Sequence, residues 1–135
     1  MVCIYCGCAT QVVNSRLQKR DNHVWRRRRC SECGSVFTTQ EQAVLSAGLV
    51  YQDAGGRMQP FSRDTLFLSI YDSCKHRSQA VADASALAQT VIGKLIKNTA
   101  NGMVERSHVL AAAIEVLGNF DATAATVYKA YHAPR

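Results

Sequence analysis

The chain has 135 residues and a formal net charge of +6, with 47% hydrophobic and 19% charged residues. This length suits one ordinary domain or two small ones, and the composition excludes a disordered chain. No apolar run approaches the roughly 18 residues that cross a bilayer, and the N-terminus lacks the basic-then-apolar order of a signal peptide. We therefore expect a cytoplasmic protein without a membrane partner, in which paired cysteines favour a metal over a disulfide.

The positive charge is concentrated near the N-terminus. Residues 1–45 hold seven basic and three acidic residues, a local net charge of +4. The remaining 90 residues hold nine basic and seven acidic residues. A basic segment of this kind is typical of a module that binds a polyanion.

Two Cys-x-x-Cys pairs lie in the basic segment, Cys3 with Cys6 and Cys30 with Cys33. Each pair supplies two thiolates from one tight turn, so two pairs complete a tetrahedral shell around one zinc ion. Four thiolates leave no open coordination position, which predicts one structural Zn²⁺ per chain. Cys8 offers Cys6-x-Cys8 as an alternative pair, but the repeated two-residue spacing favours Cys3 with Cys6.

Few large apolar side chains occur before residue 46, so this segment needs a metal to fold. Strand-like stretches at Gln11–Asn14, His23–Arg28 and Ser35–Thr39, separated by turn residues, predict a small antiparallel zinc ribbon.

Four consecutive arginines precede the second cysteine pair. A charge run is often only a solvated surface. In a strand, however, these side chains alternate between the two faces, and nothing acidic nearby in sequence offsets them. Phosphates would relieve their mutual repulsion, which predicts contact with nucleic acid. The predicted contact residues are Arg26, Arg27, Arg28 and Arg29, with accessory contacts from Arg16, Thr38 and Thr39.

The sequence pattern of the chain changes near Ala47, where the basic, cysteine-containing segment ends. Residues 48–61 read as a hairpin with a glycine turn, and apolar residues at helical spacing then predict four helices. These are a helix capped by Ser62, one over 84–96, one from Ser107 to Gly118, and one over 122–132 with Val127, Tyr128 and Tyr131 inside. The predicted fold is α+β: a zinc ribbon over residues 1–46, then a mainly helical domain with an N-terminal β-hairpin over residues 47–135.

Several of these motifs resemble the NrdR family of bacterial transcription repressors, which join an N-terminal zinc ribbon to an ATP-cone. The resemblance is specific over residues 1–41, although Asn14 stands where an aspartate is usual. The hairpin, the helices and a closing Val127-Tyr128-Lys129 are similar to the ATP-cone. The motifs that carry the resemblance are Cys3-x-x-Cys6, Asn14-Ser15-Arg16, Arg26 to Arg29, Cys30-x-x-Cys33 and Phe37-Thr38-Thr39.

The resemblance implies zinc on the four cysteines, DNA contacts from Arg16 and the arginine run, and homo-oligomers arranged by ATP or dATP. The nucleotide part departs from the family. Tyr51, after Val50, replaces a lysine suited to phosphates, and Thr65, Gln59 and Thr123 replace other expected residues. Losing several cations should weaken triphosphate binding by well over tenfold. The candidate nucleotide contacts are therefore Val50 and Tyr51, with Arg57, Arg63, Lys75 and Arg77 compensating in part.

The leading hypothesis is a repressor that binds double-stranded DNA at promoters of ribonucleotide reductase genes, located with the nucleoid. The alternative is a general nucleic-acid-binding zinc-ribbon module whose degenerate cone binds no nucleotide and serves oligomerisation. An enzyme is not expected, since the sequence has no Gly-rich phosphate loop, nucleophile motif, paired carboxylates or open metal site. A thiol oxidoreductase would need one cysteine pair free of metal.

Overall fold

The computed structural model describes residues 1–133. The chain divides into two compact units, here called the ribbon unit (Met1–Ala43) and the helical unit (from Val44 onward). The ribbon unit is a three-stranded antiparallel sheet with the second strand in the centre. Its strands are β1 (Thr10–Gln18), β2 (His23–Cys30) and β3 (Val36–Glu41).

The core of the ribbon unit is very small. Its buried residues are Cys3, Cys30 and Phe37, with Cys8 packed partly against them. The sheet itself is largely exposed, and Val12, Val13 and Leu17 of β1 are each more than 40% accessible to solvent. A core of this size cannot offset the conformational entropy of the segment, so a further source of stability is required.

The helical unit combines a second small sheet with four longer helices. β4 lies in the centre of this sheet, antiparallel to β5 and parallel to β6. The predicted hairpin is present as β4 and β5, so the α+β fold class is confirmed. The elements are α1 (Leu45–Gly48), β4 (Val50–Gln52), β5 (Met58–Pro60), α2 (Arg63–Cys74), α3 (Ala80–Asn98), β6 (Met103–Glu105), α4 (Arg106–Phe120) and α5 (Ala122–His132).

Helices α2 to α5 pack around one core, and the apolar periodicity predicted most of it. The Ser62 hydroxyl accepts a hydrogen bond from the Thr65 N–H at 3.1 Å, which is the predicted cap of α2. Ile70, Cys74 and Val91 are among the fully buried side chains. Within residues 1–133, no helix is long and apolar enough to cross a membrane.

Two details of the helix prediction are wrong. α4 continues past Gly118 to Phe120, because Asp121 provides the boundary: its carboxylate accepts the Ala124 N–H at 3.0 Å and caps α5. Tyr131, predicted to face inward, is 74% exposed, whereas Tyr128 is 1% exposed. Tyr131 lies three residues after Tyr128, and the inner stripe of α5 ends before it.

Gly102 lies between α3 and β6 and has no room for a side chain. Its φ is +71°, and an added Cβ would lie 2.8 Å from the carbonyl oxygen of Gly48. We expect Gly102→Ala to lower the free energy of unfolding of the helical unit by about 1–3 kcal/mol. Gly93→Ala, in the open interior of α3, is the matched control and should be neutral or stabilising by up to about 1 kcal/mol. Urea unfolding followed by far-UV circular dichroism measures both, and equal stability of Gly102→Ala and wild type would contradict the expectation.

Candidate metal centre and nucleic-acid interface

The four predicted ligands lie together in the ribbon unit. The Sγ atoms of Cys3, Cys6, Cys30 and Cys33 all lie within 4.8 Å of one another. Cys3 Sγ is 3.7 Å from Cys33 Sγ, and Cys6 Sγ is 3.5 Å from Cys30 Sγ. Tetrahedral zinc with Zn–S bonds near 2.3 Å requires sulfur atoms about 3.8 Å apart. All four cysteines are free thiols, so the donor set fits one zinc ion with little rearrangement.

Both cysteine turns are built in the same way. A glycine follows the second cysteine of each pair, and Gly7 and Gly34 adopt φ values of +75° and +71°. The Cys3 N–H donates to the Cys8 carbonyl at 2.8 Å, and the Cys30 N–H donates to the Ser35 carbonyl at 2.9 Å. The left-handed glycines let each turn fold back and direct two thiols inward.

The environment of Cys33 lowers the pKa of its thiol. The Ser35 hydroxyl lies 3.2 Å from Cys33 Sγ. When Cys33 is a thiolate, this hydroxyl and the Ser35 backbone N–H donate hydrogen bonds to its sulfur, which lowers the pKa of Cys33 to about 6. Zinc binds the thiolate, so this environment favours metal binding at Cys33, whereas hydrogen bonds among the four thiols raise the pKa of Cys6. Cys8 lies outside the four-sulfur group, and its thiol donates to the Cys6 carbonyl at 3.7 Å.

Strand alternation divides the arginine run between the two faces of the sheet. Arg26 and Arg28 are half-buried, and both have side-chain partners. Arg26 Nη2 lies 3.0 Å from the Glu41 carboxylate, and Arg28 Nε donates to Thr39 Oγ1 at 3.2 Å. Although no acidic residue is close to the run in sequence, the pairing of β2 with β3 brings Glu41 to one of its members.

The other two arginines lie on the opposite face. Arg27 and Arg29 are exposed, and Arg27 pairs across the strands with Asn14 and Thr38. Directly paired residues of an antiparallel sheet share a face, so Thr38 lies beside Arg27. Within residues 1–133, neither arginine has an acidic side chain within ion-pair distance.

A β-bulge adds a third arginine to this face. The register of β1 shifts between Val12 and Asn14, so Arg16 pairs with Trp25 instead of Val24. Without the shift, Arg16 would lie on the same face as Arg26 and Arg28. We call the resulting surface the basic face; it consists of Arg16, Arg27, Arg29 and Thr38. The other predicted DNA contacts, Arg26, Arg28 and Thr39, lie on the face that carries Phe37 and Cys30.

Comparison with known proteins decides the family. The family model described as "Transcriptional repressor NrdR-like, N-terminal domain" matches residues 1–41. A protein of Sphingopyxis alaskensis named transcriptional repressor NrdR is 33% identical over 136 aligned residues, covering 96% of this chain and 85% of the relative. The chain belongs to the NrdR family. Relatives of the same name from Syntrophotalea carbinolica and Leifsonia xyli subsp. xyli are 30% and 32% identical, and each alignment covers 97% of this chain. All three names describe a regulatory role and not an enzymatic one.

The NrdR resemblance also implied a nucleotide site, and the helical unit contains a cavity of about 390 Å³. Of the six candidate nucleotide contacts, Tyr51 alone lines it. Val50 lies on β4 with its side chain 41% exposed, and Arg57 is exposed beside the hairpin turn. The three remaining candidates have other partners: Arg63 donates to Ser85 at 3.2 Å, Lys75 lies 2.6 Å from Asp72, and Arg77 contacts Asp83 at 2.7 Å and Asp121 at 2.9 Å.

Sequence reasoning missed Arg106, His132 and Ser69, three polar residues that line this cavity. Arg106 begins α4 and donates to the His132 carbonyl at 3.2 Å, and His132 Nε2 lies 2.8 Å from Ser69 Oγ. Burial lowers the pKa of His132, so its ring is neutral at pH 7. Arg106 and His132 lie at helix ends and Ser69 lies in the middle of α2. These positions are far apart in sequence, and no motif or spacing connects them.

Proposed function

We propose that this protein is a transcriptional repressor that binds double-stranded DNA through its zinc ribbon, residues 1–46. The observation that supports this most strongly is the basic face, where Arg16, Arg27 and Arg29 lie together on one surface of the sheet. Guanidinium groups with no acidic partner among the described residues are available to phosphate oxygens. The metal centre on the opposite side of the sheet would hold them in place.

Polar residues beside the arginines would supply sequence recognition. Asn14 pairs directly with Arg27, and Gln40 pairs with Trp25, so both belong to the arginine-bearing side of the sheet. Asparagine and glutamine can make paired hydrogen bonds to adenine, and a β-ribbon fits the major groove. One ribbon offers few such contacts. We therefore propose that the protein acts as a homo-oligomer on spaced half-sites.

The relatives are named as repressors, and the NrdR resemblance implies ribonucleotide reductase genes as the target. Deleting the gene for this protein should raise the transcripts of those genes, and wild-type protein supplied from a plasmid should restore repression. Cys30→Ser supplied at the same protein level should not restore it. Unchanged reductase transcripts in the deletion strain would overturn this target.

We also propose that residues 47–135 form an ATP-cone-like domain whose cavity takes an effector that changes the arrangement of copies. The resemblance implies ATP or dATP as this effector, and the residues that line the cavity determine which ligand it accepts.

The alternative function is a general nucleic-acid-binding module. It is favoured by one observation: the contacts from Arg16, Arg27 and Arg29 would go to phosphates, which carry no sequence information.

A further inference from the structure

The cavity of the helical unit carries almost no net charge. Arg106 is the one lysine or arginine among its lining residues, and Asp53 contributes a carboxylate to the same lining. His132 is neutral because burial lowers its pKa. A nucleoside triphosphate carries several negative charges, and their desolvation requires several cations or charge-assisted hydrogen bonds. The lining residues therefore do not fit a triphosphate.

The acidic group in the lining is fixed by the fold. Asp53 Oδ1 accepts hydrogen bonds from the Gly55 and Arg57 backbone N–H groups, both at 2.9 Å. These bonds hold the hairpin turn, so the carboxylate cannot leave without disrupting β4 and β5. Its charge would repel a phosphate chain placed beside it.

Two further cations of the helical unit are held in ion pairs. Arg77 bridges Asp83 and Asp121, which joins α3 to the cap of α5. Lys75 is paired with Asp72, and neither it nor Arg77 lines the cavity. Recruiting either residue would break an existing ion pair.

The cavity does fit a smaller ligand with a flat apolar body. Its size lies near the lower end of the roughly 300–1,000 Å³ typical of small-molecule sites. Tyr51 and Tyr128 provide aromatic walls, while Ser69 and Thr65 add hydroxyl groups. The single guanidinium of Arg106 can neutralise one anionic group. Apolar walls, hydroxyls and one cation together select a planar ring with little charge.

We propose that this cavity binds a nucleoside-sized ligand that has a planar aromatic ring and at most one negative charge, and that it rejects nucleoside triphosphates. Its part as an effector site rests on the proposed function. Binding itself does not, because it can be measured without DNA.

The test is a charge series on one ring, titrated into the zinc-loaded full chain by calorimetry. Adenosine is neutral, 3′,5′-cyclic AMP carries one negative charge, and ATP with Mg²⁺ carries more. We expect adenosine or cyclic AMP to bind at least about tenfold more tightly than ATP. Tighter binding of ATP than of both other probes would overturn the proposal, and so would the absence of binding by both.

Two variants locate the ligand. Arg106→Ala should weaken cyclic AMP binding by about tenfold or more and change adenosine binding much less, since only the former offers an anion. Lys97→Ala, which removes an exposed cation near the end of α3 and outside the lining, is the matched control and should leave all three affinities unchanged. If Lys97→Ala abolished binding, the site would lie elsewhere. The wild-type series decides the proposal even if Arg106→Ala fails to fold.

Discussion

Replacing Cys30 by serine is expected to unfold the ribbon unit and abolish DNA binding. Cys30 is 1% exposed, and its Sγ lies 3.5 Å from that of Cys6. The variant leaves three thiolates for a metal that requires four ligands. Zinc contributes about 10–16 kcal/mol in comparable small modules, which exceeds the net stability of most small domains. The small core around Phe37 cannot replace that contribution.

The chain offers a specific reporter for this experiment. Its single tryptophan, Trp25, lies on β2 of the ribbon unit, so tryptophan fluorescence follows this unit alone. Far-UV circular dichroism follows the helices, which should persist. Cys8→Ser is the matched control and should retain one zinc per chain and native fluorescence. A Cys30→Ser protein that kept its zinc and its native Trp25 emission would show that the metal does not hold this fold.

Changing Arg27 and Arg29 together to alanine is expected to weaken duplex binding by at least about 100-fold, since each charge-assisted contact contributes about 1.5–3 kcal/mol. The slope of the logarithm of the binding constant against the logarithm of salt concentration should fall in magnitude by about 2 for each ribbon unit bound. Both side chains are exposed on the basic face. Neither has an acidic partner among the described residues that would compete with phosphate.

The matched control is the double variant Arg26→Ala with Arg28→Ala, which removes the same charge from the other face. These arginines already contact Glu41 and Thr39, so we expect a much smaller loss of affinity and little change in salt slope. Native Trp25 fluorescence must first show that both double variants are folded. Equal losses in the two variants would mean that net charge, and not the basic face, governs binding.

The metal ligands could be predicted from the sequence because cysteine spacing within each turn is local information. The distribution of the arginines between the two faces of the sheet could be predicted only in part. Alternation places neighbouring arginines on opposite faces, but the strand register decides which pair is free. The bulge between Val12 and Asn14, which moves Arg16 to the basic face, leaves no mark in the periodicity. The partnership of Arg26 with Glu41 likewise depends on how β2 pairs with β3.

In the helical unit, apolar periodicity predicted the long helices and the glycine turn predicted the hairpin, but nothing in the sequence predicted α1 or β6. β6 has three residues and exists because β4 offers it a parallel partner, which is a tertiary effect. Four of the six candidate nucleotide contacts are cations near the predicted hairpin and first helix: Arg57, Arg63, Lys75 and Arg77. Tertiary pairing explains the outcome for Arg63 and Arg77, since each has a polar partner elsewhere in the fold. Arg106 reaches the cavity from a helix end that no motif marks.

Fluorescence anisotropy with zinc-loaded protein tests the central claim most directly. The duplexes are the reductase promoter of the source organism and a scrambled duplex of equal length and composition, titrated at one fixed salt concentration. Sequence-specific repression predicts at least about 10³-fold tighter binding to the promoter. Equal affinity for both duplexes would contradict the account and support a general nucleic-acid-binding module.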